Sequence, residues 1–187
     1  TRQVSSAASD VYKRQVWTPG ETVIAGIGQG FVLTTPIQLA VMAARIGNGR
    51  KAVKAKLLSE HAKNSDEFQS LNISSAVLKE IQRSMRSVVA GGRGTARNYD
   101  IEGYGMAGKT GTVQVKRISK AERDEGIIDN TDRRWKDRDH ALFVAYAPYE
   151  KPKYAISVIV EHGGSGSSMA APIARDILKF ALDRQSI

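Results

Sequence analysis

The segment GYGMAGKTGT, running from Gly103 to Thr112, gathers residues whose types and spacing could do chemistry, and it supports two incompatible chemistries. Gly103, Gly108, Lys109 and Thr110 fill the slots of G-x-x-x-x-G-K-[ST], a loop whose backbone amides cradle phosphates while its Lys reaches the terminal ones. Lys109-Thr110-Gly111 is equally a triplet that lies beside the reacting serine in one class of acyl-transfer enzymes. One lysine cannot serve both, so the flanking residues have to decide.

A phosphate loop requires a buried strand before it and a helix after it, because the helix N-terminus supplies N–H groups to the phosphates. RNYDIEGY precedes the segment and is no buried strand; GTVQVKR follows, and a glycine with two valines favours extended chain over helix. The nearest downstream apolar strand ends in Glu161 rather than in an Asp for magnesium. Acyl transfer asks for the opposite arrangement, an extended strand at a sheet edge. There Lys109 places a fixed positive charge beside the reacting centre. Gly111 has no side chain, so a substrate backbone can come close. Thr110 and Thr112 offer hydroxyls to a carboxylate, and the N–H of Thr112 can serve as an oxyanion donor. The candidate catalytic residues are Lys109 and Thr112, and the candidate substrate-binding residues are Thr110, Gly111 and Thr112. The motifs call for no metal and no cofactor.

The elements that must hold this strand read as follows. WTPGETVIAGIGQG, Trp17 to Gly30, has glycines at 20, 26, 28 and 30 and reads as a loop that approaches other backbone closely. From Thr35 a helix begins with Pro36 in its first turn and Gln38 completing a capping box; it is apolar nearly all round, predicts full burial, and stops at Gly47-Asn48-Gly49. Residues 51–72 are polar and irregular, with His61 exposed. A second helix spans Ser75 to Val89, capped by Ser74 or Ser75, with Val77, Leu78, Ile81, Met85, Val88 and Val89 on one stripe. Residues 116–138 carry eight basic and six acidic side chains and read as an exposed loop. Ala141 to Ala147 and Tyr154 to Val160 are apolar runs joined by six residues, which predicts an antiparallel hairpin covered on both faces. A last helix from near Ser168 is expected to present Ile173, Ile177, Phe180 and Ala181 to the core.

Composition narrows the class. The chain has 187 residues, enough for one ordinary domain, and no cysteine, which removes disulfides, thiolate metal sites and a Cys nucleophile. No apolar run is long enough to span a membrane. The formal charge of +9 admits nucleic acid as a partner, but the basic residues are scattered and aromatic residues make up only 6%, so no stacking platform for bases forms and nucleic-acid binding is not expected. Residues 1–15, TRQVSSAASDVYKRQ, stand apart. Asp10 to Gln15 back-translates as GAT-GTG-TAT-AAG-AGA-CAG, which resembles a transposase sequencing adapter read as coding sequence. This segment is read as non-native, and residues 16–187 carry the fold argument.

WTPGETVIAGIGQGFVLTTPIQLA, GGRGTA, GKTGTVQV, HALFVAYAP and VIVEHGGSG…AAPIARDIL occur in the order seen in class B penicillin-binding proteins, and the last two are most similar to the elongation type, penicillin-binding protein 2. The resemblance covers about Val16 to Leu182. It implies an α/β fold of the α+β type: an antiparallel sheet with helices on both faces, incomplete at its N-terminal side. It also implies a D,D-transpeptidase that cross-links peptidoglycan stem peptides through an acyl-serine and is acylated by β-lactams. Implied with it are a location on the periplasmic face of the bacterial inner membrane, an N-terminal anchor and pedestal outside this chain, and partners that include a membrane glycan polymerase and elongation-complex proteins. A β-lactam sensor on the same fold is the alternative in another class.

The sequence departs from the family in one respect. None of its serines has Lys three residues on, so the family's Ser-x-x-Lys nucleophile box is absent. Ser70-Leu71-Asn72 matches the second box, Ser-x-Asn, in letters but lies after Gly28-Gln29-Gly30 instead of before it. The chain is therefore expected to be the C-terminal half of a transpeptidase domain, inactive by itself, with two strands of the sheet lying upstream and Tyr154 to Val160 exposed along one edge. His140 and His162 flank the apolar runs; a general base is one reading, and structural hydrogen bonds at strand ends are the favoured one, given no Ser-His-Asp order.

Overall fold

A computed structural model of the chain describes residues 17–30, 33–57, 68–116, 123, 124, 126 and 128–184. Residues 1–15 and His61 lie outside them. Two compact units divide at Thr35 and Pro36. In the first, the stretch expected to be a glycine loop is instead a helix, α1 (Pro19–Gly26). Its start is locally encoded. The Thr18 hydroxyl accepts from the Glu21 N–H at 3.3 Å, and the Glu21 carboxylate accepts from the Thr18 N–H at 2.7 Å. This reciprocal box, with Pro19 at the first position, outweighs the glycines, which fall at the two ends of the TVIA core. A Cβ at Gly26 or Gly28 would meet no atom within contact distance, so neither is a point of close backbone approach.

The second unit is built on a three-stranded antiparallel sheet of order β1 (Ala107–Val113), β2 (His140–Ala147), β3 (Tyr154–Val160). Helices α2 (Pro36–Asn48) and α3 (Ser75–Ala90) pack on it, α2 mainly on β3 and α3 on β1. On the other face lie a π-helical turn, Gly166–Ala170, and the helix α4 (Ala171–Asp183) that continues it. The sheet is thus covered on both faces by helices, as the resemblance implied. Alternation along β2 sorts the core. Ala141, Phe143, Ala145 and Ala147 meet Ala170, Ala171, Ala174, Leu178 and Leu182, whereas Tyr146 meets Met85 of α3 and Ile46 of α2. Alanines on both partners let the turn and α4 come close to the sheet, and Phe143 fills the space between them.

Four expectations about these elements need correction. Helix α2 is not buried all round: Ala43 and Gly47 are its buried residues, while Ile37 and Met42 are exposed, because it lies on the sheet by one stripe only. Gly47 belongs inside it, where a Cβ would press on the Tyr146 ring at 2.9 Å, and Gly49, with φ of 70°, ends it. In α4 the apolar face expected to be core faces outward. Ile173, Ile177 and Phe180 are exposed, and the narrower row Ala171, Ala174, Leu178, Leu182 is buried. Strand β3 is only half-buried rather than covered on both faces. Helix α3 keeps its Ser74 cap, accepting from the Val77 N–H at 3.2 Å, but only Leu78, Met85 and Val89 of its stripe are buried. The described part of the mixed-charge segment holds two short 3₁₀ turns, Asn130–Asp132 and Trp135–Asp137.

Candidate active site

Strand β1 is one edge of the sheet formed by the described residues, and its register is fixed by β2: Lys109 stands opposite Val144, Thr110 opposite Phe143, Gly111 opposite Leu142 and Thr112 opposite Ala141. Extended chain from Ala107 to Val113, where a phosphate loop would need a helix to begin at Lys109-Thr110, excludes the phosphate-loop reading of the segment. Gly108 is required for the pairing, since a Cβ there would stand 2.6 Å from Cζ of Phe143 and 2.8 Å from the carbonyl of Val144. After Gly108 the strand emerges: Ala107 and Gly108 are buried, Thr110 and Gly111 are half-buried, and Lys109 and Thr112 are exposed.

The alternation that orders β2 also divides the candidate residues. Thr110 and Thr112 share the face of Phe143 and Ala141, the face of the π-helical turn, and Lys109 and Gly111 share the opposite one. The Lys109 ammonium turns along the edge and donates to the carbonyl of Thr110 at 2.7 Å. The structure therefore brings the two hydroxyls together on one face, with the ammonium reaching the same edge from the other. Gly111 does not simply leave room for a substrate: a Cβ there would approach Cβ of Leu142 at 3.3 Å. Its backbone is instead the surface on which Gly166 rests, since a Cβ on Gly166 would overlap the carbonyls of Gly111 and Leu142. Gly166 thus lets the turn between β3 and α4 lie flat over the Lys-Thr-Gly strand.

Three groups that the sequence did not single out complete the site. Thr95, in the GGRGTA loop after α3, has its hydroxyl 3.1 Å from that of Thr110. Beside it Thr95, Arg97, Asn98, Tyr99, Ser167 and Ser168 line an open depression of about 170 Å³ with mostly polar walls. At the strand's entry, Arg86 of α3 forms a fork with Asp100 at 2.7 and 2.8 Å and donates to the carbonyl of Met106 at 2.8 Å. Asp100 accepts in turn from the N–H groups of Ile101 and Met106, each at 2.9 Å. Burial acts to raise the Asp100 pKa, but the hydrogen bonds from Arg86 and Met106, the Arg86 charge and the Ile101 N–H outweigh it and hold the carboxyl below its ordinary value. At the strand's exit, buried Asp139 accepts from the Val115 N–H at 3.3 Å and the Asn130 amide at 3.0 Å and pairs with Arg133 at 3.5 Å. Only GGRGTA carried any signal in the sequence; the other partners are too far apart along the chain to show as a motif.

The two histidines make backbone hydrogen bonds. The His162 N–H donates to Nδ1 of His140 at 2.9 Å, Nδ1 of His162 lies 3.0 Å from the carbonyl of Arg138, and the Trp135 ring packs on His162 with centroids 4.4 Å apart. These contacts join the end of β2 to the turn after β3, where His162 has φ of 55°. Among the described residues no three His, Cys, Asp or Glu side chains converge as metal ligands, and no helix is long and apolar enough to cross a membrane.

An edge strand carrying Lys-Thr-Gly-Thr, backed by an antiparallel sheet with helices on both faces, defines the class as the serine acyl-transferase fold of penicillin-recognising enzymes. The chain belongs to the penicillin-binding protein transpeptidase domain family, whose model matches residues 4–179. It is 35% identical over 184 residues to the peptidoglycan D,D-transpeptidase MrdA of Haemophilus influenzae, covering 93% of this chain and 27% of that protein. It is 34% identical over 173 residues to MrdA of Acinetobacter baumannii, covering 86% of this chain and 25% of that protein. Among solved structures it resembles Pseudomonas aeruginosa PBP2 in complex with WCK 5153, with a TM-score of 0.71 and 34% identity, covering 95% of this chain and 36% of that one. It also resembles PBP2 in the complex with MreC from Helicobacter pylori, with a TM-score of 0.75 and 28% identity, covering 97% and 30%. The chain thus spans about a quarter to a third of the length of the relatives it matches.

Proposed function

We propose that residues 16–187 form the C-terminal part of the transpeptidase domain of a peptidoglycan D,D-transpeptidase of the elongation type, which cross-links stem peptides through an acyl-serine. The observation that carries this reading is the emergent edge strand Lys109–Thr112 in a chain of this family. An extended peptide can add to the side of β1 away from β2, where main-chain hydrogen bonds supply affinity. Thr110 and Thr112 on one face offer hydroxyls to the substrate carboxylate, and the N–H of Thr112 is the candidate oxyanion donor. Lys109 supplies positive charge at the same edge and orients the substrate. The nucleophile and its base come from a Ser-x-x-Lys box outside this chain. In the complete protein the site faces the periplasm from a membrane anchor. Its partners there include a membrane glycan polymerase and scaffold proteins of wall elongation; the complex of the H. pylori relative with MreC supports the latter.

The test is labelling of the complete protein with a fluorescent penicillin. Stoichiometric acylation is expected in the wild type. Lys109→Ala should slow it, and Thr112→Pro, which removes the N–H, should slow it about a hundredfold or more. Acylation of Thr112→Pro at the wild-type rate would remove the oxyanion role, and a wild type that takes no label would remove the reading.

A further inference from the structure

Among the described residues strand β1 pairs with one neighbouring strand, β2, so its height at the sheet edge depends on further anchors. The structure supplies a second constraint at one point. Met106, immediately before the strand, is fully buried, and both of its backbone groups are held by a single ion pair. Its N–H donates to Asp100 at 2.9 Å and its carbonyl accepts from Arg86 at 2.8 Å, while Arg86 and Asp100 lock each other through two parallel hydrogen bonds. The guanidinium is partly covered. It lies 5.7 Å from the centroid of the Tyr149 ring, and a Cβ on Gly105 would approach it at 3.3 Å. Tyr149 in turn donates its N–H to the carbonyl of Gly105 at 3.1 Å. Five donors in a planar fork let one side chain bind a carboxylate and a carbonyl at once; an ammonium cannot do this with the same geometry.

We propose that Arg86 is a positioning residue for acyl transfer: through Met106 it sets the height and direction at which β1 emerges, and so where Lys109 and the Thr112 N–H stand relative to the nucleophile. The inference rests on the transpeptidase reading. Lys109 is three residues from Met106, about 10 Å along an extended strand, which is too far for Arg86 to touch substrate. The effect is mechanical, carried by a stiff segment from a buried anchor, and displacement of a reacting group by about 1 Å can cost on the order of a hundredfold in rate.

The experiment uses the complete protein and a fluorescent penicillin, and separates two quantities. The endpoint of labelling counts folded, competent molecules; the acylation rate constant of those molecules reports geometry. Arg86→Ala is expected to lower the rate constant about tenfold or more among molecules that still label to completion. Arg86→Lys, which keeps the charge but loses the fork, should fall nearly as far. A lower endpoint with an unchanged rate constant would show that Arg86 only stabilises the fold, and would overturn the proposal. Should Arg86→Ala take up almost no label, Arg86→Lys is judged by the same criterion. Absence of labelling in the wild type would instead sink the transpeptidase reading itself, so the two failures are distinguishable.

Discussion

At the scale of single residues, the candidate site is a set of side chains whose positions are decided by partners remote in sequence. Thr110 is met by Thr95, fifteen residues earlier, and Met106 by Arg86, twenty earlier. The letters Lys-Thr-Gly-Thr were legible because the chemistry needs those types in that order on extended chain. Arg86 and Asp100 were not, because a charged residue on a helix and another in a loop look the same whether paired or solvated. Their pairing has a consequence in acid. The Asp100 carboxyl lies below its ordinary value of 3.8 in the folded chain, so the folded state holds the ionised form more tightly than the unfolded state does. Its contribution to stability is complete above the unfolded value and is lost as pH falls through 3.8 toward the depressed folded value. Urea unfolding midpoints taken from pH 7 down to about 3 should therefore drop less steeply in Asp100→Asn than in the wild type. Parallel acid dependence in the two proteins would show that the ion pair does not depress Asp100.

At the scale of elements, sequence patterning succeeded where one period dominated and failed where two faces competed. The hairpin β2–β3 was legible from two apolar runs and a six-residue turn, and β1 from a glycine among threonines and valines. Helix α1 was hidden because its glycines masked a short capping box. Helix α4 was placed correctly but turned the wrong way. Ile173, Ile177 and Phe180 are the larger apolar residues, yet the sheet beneath is paved with Ala141, Ala145 and Ala147 and accepts a close row of Ala171, Ala174, Leu178 and Leu182. Size lost to fit. The two faces make opposite predictions for equal truncations. Leu178 is 2% exposed, so Leu178→Ala should cost about 2–5 kcal/mol. Ile177 is 51% exposed, so Ile177→Ala should change stability by no more than about 0.5–1 kcal/mol. Denaturant unfolding of the two variants under one set of conditions measures the difference. A larger loss for Ile177→Ala would mean that α4 packs on the sheet through its Ile173–Ile177–Phe180 face instead.

At the scale of the whole molecule, fold and family were legible because several motifs occur in one order, each tied to an element that the structure contains: the GGRGTA loop beside Thr110, the Lys-Thr-Gly edge, the hairpin behind it, and the glycine turn of VIVEHGGSG that lies across Gly111. The same whole-chain view predicts what this sequence cannot do alone. Acylation requires an activated hydroxyl, a base that takes its proton, and donors for the oxyanion, all within contact of one carbonyl. These residues supply the edge strand, the candidate oxyanion N–H and a positive charge. They supply no serine with a lysine three residues beyond it. Ser165, Ser167 and Ser168 lie near the strand, but Ser165 and Ser167 are exposed or half-exposed and bond to each other at 2.9 Å rather than to a base that could draw off a proton. The 187-residue chain, incubated with a fluorescent penicillin and then denatured, should show neither a labelled band nor a mass increment for a β-lactam adduct. A stoichiometric adduct mapped to any serine of residues 16–187 would mean that the nucleophile is present on these elements, and that the division of labour between this chain and an external Ser-x-x-Lys box is wrong.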